Sequence, residues 1–257
     1  MKITALTENT SSCGLPVEHG LCLYIETESM KILFDAGQGE LFSKNAKTLG
    51  VDIAAVDVFV LSHGHYDHGG GIETFLGLNN KAPVYISRRA FEPYYGTGGR
   101  YIGLDPKLKD SGRIIFTDDE THISDGISLY SCNDRKKAVK LGSFGLCVMR
   151  GGELLPDDFL HEQYMLIREK EKSVLISGCS HKGIINIADW FSPDVLIGGF
   201  HFSGLPLDDT LKGYAEALDA FDTVYYTCHC TGTAQYEFMK RYMRRLNYIS
   251  AGQTVVF

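Results

Sequence analysis

Leu61-Ser62-His63-Gly64-His65-Tyr66-Asp67-His68-Gly69-Gly70-Gly71 places three histidines and an aspartate within six positions, spaced His-x-His-x-Asp-His. The stretch before it, residues 56–61, is an apolar run of strand length, so the cluster leaves the end of a buried strand. His63, His65 and Asp67 lie two apart, and an extended backbone points them the same way. His68 breaks the alternation and points elsewhere, so the four donors leave in two directions, enough to begin two adjacent metal sites. The flanking glycines let the backbone turn tightly and approach an ion. Neutral imidazole is a good ligand for zinc and iron, and a carboxylate adds charge compensation. A catalytic site of this kind keeps one position for water, whose pKa the metal lowers to about 7. The plain alternative is a solvated polar turn, but three histidines in six residues serve no packing purpose there.

Four donors do not complete two sites, and further histidines follow apolar runs downstream. His181 ends Val174-Leu175-Ile176-Ser177-Gly178-Cys179-Ser180-His181. His201 ends Val195-Leu196-Ile197-Gly198-Gly199-Phe200-His201. His229 lies in Val224-Tyr225-Tyr226-Thr227-Cys228-His229-Cys230-Thr231-Gly232. Each sits just beyond a buried strand, where functional groups on α/β scaffolds gather. His201 reads as a ligand, a general acid near the substrate, or a satisfied structural histidine. His19 reads as a pocket residue or a turn residue. His122 and His161 read as surface or turn residues, with His161, just before a strand, left open as a replacement ligand.

Around these motifs the chain alternates short strands and helices. Strands are expected at residues 2–7, 21–27, 31–34, 56–61, 84–87, 114–117, 127–131, 145–149, 164–168, 174–177, 195–197, 223–226 and 254–257. Helices are expected at 39–49, 71–78, 184–191, 208–221 and 234–246. Residues 94–112 carry four glycines before Leu104, a proline and the tyrosines 94, 95 and 101. They read as a long surface loop, either a lid over the site or an insertion without a role. The expected fold is α/β, one domain over residues 1–257 with two sheets covered by helices on their outer faces.

Composition narrows the function. The 257 residues carry 25 Lys and Arg against 32 Asp and Glu, a formal net charge of −7. An acidic chain without a basic block is a poor binder of nucleic acid or of an anionic membrane surface. A local basic pocket for a small anionic substrate stays open. No apolar run approaches the ~20 residues of a membrane span, and residues 1–8 hold no signal-peptide core. Seven cysteines without a CxxC pair read as reduced thiols, and the expected compartment is the cytoplasm.

The His63–His68 cluster after an apolar strand resembles the signature of the metallo-β-lactamase superfamily, and Leu33-Phe34-Asp35-Ala36-Gly37 resembles an Asp-containing turn of the same fold. The segments 19–21, 62–71, 178–184, 198–201 and 229–232 resemble the branch that includes 7,8-dihydropterin-6-methyl-4-(β-D-ribofuranosyl)aminobenzene 5′-phosphate synthases of methanopterin biosynthesis. The resemblance covers nearly the whole chain. It implies an αββα sandwich, two mixed sheets face to face with helices outside and one or two divalent metals at one edge. Zinc is the expected metal, with manganese and iron as alternatives. Carried over residue by residue, it implies that His63 and His65 hold the first metal, completed by His181, and that Asp67, His68 and His229 hold the second. Many members bridge the metals with an Asp in a Gly-Asp turn, where this chain has Gly178-Cys179. Cys179 is then a thiolate bridge, a nearby ligand or an inert buried thiol. Asp35 either orients a ligand histidine through its second nitrogen or caps a turn. Asp157-Asp158 reads as a loop cap or as facing the site. Arg88, Arg89 and Arg100 flank the loop at 94–112, either solvated or in contact with an anionic substrate.

Three functions fit. The first is a metal-dependent hydrolase acting on an ester or phosphoester of a cytosolic small molecule, with Asp67 at the reacting centre and His201 protonating the leaving group. The second is a transferase in which a pterin diphosphate loses pyrophosphate to an arylamine, with Tyr94, Tyr95 and Tyr101 stacking on the pterin. The third, ranked lowest, is a di-iron redox protein or metal sensor.

Overall fold

The computed structural model describes all 257 residues. Strands and helices are numbered in chain order. One seven-stranded sheet runs β17 (Thr254–Val256), β1 (Lys2–Thr7), β2 (Cys22–Glu26), β3 (Lys31–Phe34), β4 (Val58–Val60), β5 (Val84–Ser87), β7 (Ile114–Thr117). The other runs β16 (Leu246–Tyr248), β15 (Val224–Thr227), β14 (Val195–Gly198), β13 (Lys172–Ile176), β12 (Tyr164–Glu169), β9 (Ile127–Tyr130), β8 (Glu120–Ser124). A small third sheet joins β11 (Glu153–Pro156), β10 (Cys147–Arg150) and β6 (Tyr94–Tyr95). The helices are α1 (Leu41–Thr48), α2 (Tyr66–Gly69), α3 (Ile72–Leu78), α4 (Ile184–Phe191), α5 (Asp209–Asp219) and α6 (Thr233–Met239). No helix is long and apolar enough to cross a membrane.

Both large sheets are mixed. The pairs β3/β4, β4/β5 and β5/β7 are parallel in the first sheet, and β13/β14, β14/β15 and β15/β16 in the second. Side chains alternate across each strand, so the two faces feed different cores. Ile32, Phe34, Val58 and Val60 meet Val174, Ile176, Val195 and Ile197 in one cluster between the sheets. Leu33 and Phe59 turn outward onto Phe42 of α1 and Phe75 of α3. Leu175 and Leu196 turn outward onto Ile187 of α4 and Leu211 of α5. Strands buried on both faces read as continuous apolar runs, which is why these segments show no polar alternation. The arrangement is the expected αββα sandwich. It also sets the carboxyl ends of β3, β4, β13, β14 and β15 along one edge, and the motif residues follow those ends.

Several local expectations are corrected. Residues 94–112 are not a structureless loop: they contain β6 and a 3-10 turn at Pro106–Ser111, and Tyr94 is fully buried. The helix expected at 234–246 ends at Met239. Met243 is buried and extends the apolar spacing, but the chain turns there, and Leu246 begins a strand beside β15. β8 and β11 were not expected. Both are edge strands without a buried residue, closed as hairpins at Asp125-Gly126 and Gly151-Gly152, where the glycines take φ of +75° and of +60° and +85°.

Candidate metal centre

The centre is built from Asp35 outward. β3 ends at Phe34, and Asp35 turns the chain with φ +61°. Its buried carboxylate accepts the Ser62 amide and the Ser62 hydroxyl, each at 2.7 Å, and the His68 Nδ1–H at 2.7 Å. With its proton given to Asp35, Ser62 Oγ accepts from His63 Nδ1 at 2.8 Å. One carboxylate therefore sets two imidazoles with Nδ1 protonated and Nε2 turned away from the sheet, a usual support for metal-binding histidines. Asp35 is fully buried in this network, so it is more than the cap of an exposed turn.

The backbone departs from the extended reading at Tyr66. His65 is the last extended residue before α2, and Asp67 and His68 share one helical turn. Asp67 Oδ2 nonetheless lies 3.8 Å from His68 Nε2, 3.4 Å from His229 Nε2 and 3.2 Å from His19 Nε2. His68 Nε2 and His229 Nε2 are 3.2 Å apart.

The downstream histidines are held by two buried acids and one half-buried amide that sequence reasoning missed. His181, beyond β13, donates its amide to Glu162 Oε1 at 2.7 Å and sets Nδ1 3.0 Å from the same atom. His229, beyond β15, has φ +48°, donates its amide to Glu8 Oε1 at 2.5 Å and sets Nδ1 2.8 Å from Asn9 Oδ1. The only local signal for Glu162 was an acid leading directly into the apolar strand β12, and Glu8-Asn9 carried none.

Cys179 sits where these groups meet. Its Sγ is 3.2 Å from His68 Nε2. Three sets of donor atoms, each within 4.8 Å of one another, share it: His63–Cys179–His181, His68–Cys179–His229 and Cys179–His201–Cys230. His65 lies beside the first set, its ring centre 4.6 Å from that of His63 and 5.2 Å from that of His181. It also forms a further set with Asp157 and His161. His161 is wholly buried rather than at the surface, stacked on Tyr94 at 3.9 Å, because β6 folds over it. Its Nδ1 accepts the Gly64 amide at 2.8 Å, so its Nε2 carries the proton and offers no lone pair to an ion in this orientation. Asp157 is buried and faces the site, 3.8 Å from His65 Nε2, whereas Asp158 pairs with Arg150.

The chemistry of this donor set fits divalent metal ions. His63 Nε2 and His65 Nε2 are buried without a hydrogen-bond partner, a costly state for a polar atom. Burial, with the neighbouring imidazoles, pushes His63 well below its ordinary pKa. Burial likewise pushes His65 down to about 3, against the pull of Asp157. His181 is lowered by burial and by His201. These rings are neutral at pH 7, the form that binds metal. Burial works against ionisation of Asp67, but His68, His19 and His229 outweigh it and hold the carboxyl well below its usual range. Burial would also lower His68, yet Asp35 and Asp67 raise it to about 9.

Above the donors lies a cavity of about 310 Å³ that includes His65, Asp67, Cys179, His181, His201 and His229 in its lining. His201 takes φ +57°, is half-buried and leaves Nδ1 without a partner. It stands with Cys230 and the His181 ring, 4.5 Å away, rather than with His63 or His68. The loop contributes Gly96, Thr97, Arg100 and Ile102 to the lining. None of its three tyrosines lines the cavity. Tyr94 is buried behind it, and Tyr95 packs edge-on against Tyr101 at 5.6 Å. Arg88 and Arg89 also stay outside, paired with Asp118 at 2.8 Å and Glu92 at 2.9 Å. His122 is exposed on β8.

A buried histidine–carboxylate–thiol cluster at one edge of an αββα sandwich defines a class of metal-dependent proteins, and comparison with known proteins agrees. Residues 15–222 match the metallo-β-lactamase superfamily, and the chain belongs to that superfamily. It is similar in structure to Tm1679, a metal-dependent hydrolase of the β-lactamase superfamily, at 31% identity and a TM-score of 0.85 over 100% of this chain and 99% of that one. It is 27% identical to the 7,8-dihydropterin-6-methyl-4-(β-D-ribofuranosyl)-aminobenzene-5′-phosphate synthase of Methanocaldococcus jannaschii, over 100% of this chain and 97% of that protein. The metallo-β-lactamase fold protein YhfI of Bacillus subtilis shares the fold at 14% identity, with a TM-score of 0.60 over 99% and 98% of the two chains.

Proposed function

We propose that this protein is a metal-dependent hydrolase of an ester or phosphoester in a small, anionic molecule. One observation carries the reading: two groups of buried imidazoles converge on Cys179 beneath a cavity, with the His63 and His65 Nε2 atoms unpaired. In this reading His63, His65 and His181 would hold one ion, and Asp67, His68 and His229 a second, with the Cys179 thiol within reach of both donor sets. The thiol favours zinc over harder cations. A bound divalent ion supplies Lewis acidity and makes water a nucleophile at neutral pH. Asp67, ionised and hydrogen-bonding toward His19, balances the charge and orients what enters from the cavity. His201, which lines the cavity, donates a proton to the leaving oxygen.

A second reading is supported by the full-length match to the synthase: transfer of a pterin from its diphosphate to an arylamine. The tyrosines expected to stack on a pterin stand outside the cavity and lend it nothing. Zinc-loaded protein assayed with bis(4-nitrophenyl) phosphate and 4-nitrophenyl acetate separates the two. Chelator-sensitive turnover without an arylamine supports the hydrolase. Pyrophosphate release from a dihydropterin diphosphate only when an arylamine is added would replace it with the transferase.

A further inference from the structure

Arg100 is the one Lys or Arg side chain that lines the cavity over the donor cluster. Unlike Arg88 and Arg89, which are engaged by Asp118 and Glu92, it has no acidic partner. Its guanidinium makes no hydrogen bond within the chain and lies over the Tyr66 ring, 4.9 Å from the ring centre. Tyr66 separates His65 from Asp67, so this stacking ties the cation to the floor of the site. The hairpin that carries Arg100 is closed by backbone bonds from Gly96 to Arg100 and from Ile102 to Tyr94, each 2.8 Å. It is joined to the floor by the Tyr66 amide on Ile102, also 2.8 Å. Two more polar side chains at the cavity, Thr97 and Ser203, are exposed and donate to nothing in the fold. An unpaired guanidinium on a fixed hairpin, in a chain of net charge −7, has its planar donor fork free for a carboxylate or phosphate.

We infer that Arg100 is a specificity-determining residue that binds an oxyanion substituent of the substrate, a phosphoryl or carboxylate group separate from the bond at the donor cluster. The inference rests on the cavity being the substrate site of the proposed hydrolase. A cavity of about 310 Å³ is at the small end for ligand sites and suits a compact molecule with one such group. The cation–π contact with Tyr66 restrains the guanidinium, so less side-chain freedom is lost when the anion binds.

The test is calorimetric titration of the zinc-loaded protein with two probes, phenylphosphonate and benzoate, for wild type, R100Q, R100K and R88Q. Zinc content is measured on each sample. Wild type binds at least one probe, and the probe it prefers tells phosphoryl from carboxylate. R100Q weakens that probe about tenfold, the scale of one hydrogen bond to a charged group. R100K restores part of the loss. R88Q leaves the affinity unchanged, which separates a direct contact from a change in net charge. Binding of neither probe, an R100Q affinity within twofold of wild type, or an equal loss in R88Q overturns the inference. The hydrolase reading fails separately: Arg100-dependent binding without any chelator-sensitive ester turnover would sink that reading and leave the anion site standing.

Discussion

Replacing Asp35 by Asn should loosen the proposed second metal position far more than the size of the change suggests. The Asp35 carboxylate makes three contacts of 2.7 Å, to the Ser62 amide, the Ser62 hydroxyl and His68 Nδ1. Asn keeps a neutral acceptor for the amide but sets an N–H against the hydroxyl or the imidazole N–H. Two charge-assisted bonds are lost, each worth about 1.5–3 kcal/mol. Part of that loss falls on the metal-free fold, where breaking a buried ionic contact costs about 3–5 kcal/mol. The rest falls on the ion, because His68 is no longer held with Nε2 toward His229. Removing the partner of a ligating histidine costs roughly 10–100-fold in metal affinity, or about 1.4–2.7 kcal/mol. Titration of chelator-treated D35N with zinc against a chromophoric competitor reads both positions. The position of His68 and His229 weakens by that factor, and the position of His63, His65 and His181, reached only through Ser62, weakens less. If both zinc affinities stay within twofold of wild type, Asp35 does not organise the centre and the argument from Ser62 and His68 is wrong.

Other perturbations test separate parts of the account. H65A should lower zinc content and chelator-sensitive turnover sharply while circular dichroism stays native, because His65 lies in the turn between β4 and α2, at the cavity and outside the core clusters; near-normal zinc content would remove it from the ligand set. In cobalt-substituted protein, a thiolate-to-metal charge-transfer band should be present in wild type and in C230S but absent in C179S, and a band unchanged in C179S would make Cys179 a bystander. Chelator-treated protein should be most stable near neutral pH. His65, neutral when folded with a pKa pushed to about 3, contributes stability that is present above its ordinary value of 6.5 and lost as pH falls from there toward 3. His68, raised to about 9, contributes stability present below 6.5 and lost as pH rises through 9. A thermal midpoint that rises on acidification below pH 6.5, measured by scanning fluorimetry, contradicts the buried neutral state of His65.

The sandwich was legible because its central strands are buried on both faces. Val58–Val60, Val174–Ile176 and Val195–Ile197 leave no polar residue to misread, and each is followed at once by a chemical motif. The donor cluster was legible for the same reason: His63, Cys179, His181 and His229 follow strand ends that the topology aligns. The supports of those donors were not. Glu8 and Asn9 reach His229 across more than two hundred residues of sequence, and Glu162 reaches His181 across a strand hairpin. Such contacts depend on sheet order and register, which local patterns do not encode. His161 does lie in a turn, but its burial and that of Tyr94 were not legible, because they come from the small third sheet, and two of its strands are too short or too exposed to show apolar alternation. The direction of Asp67 was misjudged because helix begins at Tyr66, inside a motif that reads equally well as extended.

The most direct test of the centre is metal stoichiometry by elemental mass spectrometry on protein purified without added metal, alongside H63A and H68A. Two divalent ions per chain in wild type, with each variant losing about one, is the predicted result. No bound metal in wild type, or undiminished metal in both variants, contradicts the assignment of these histidines to two sites joined at Cys179.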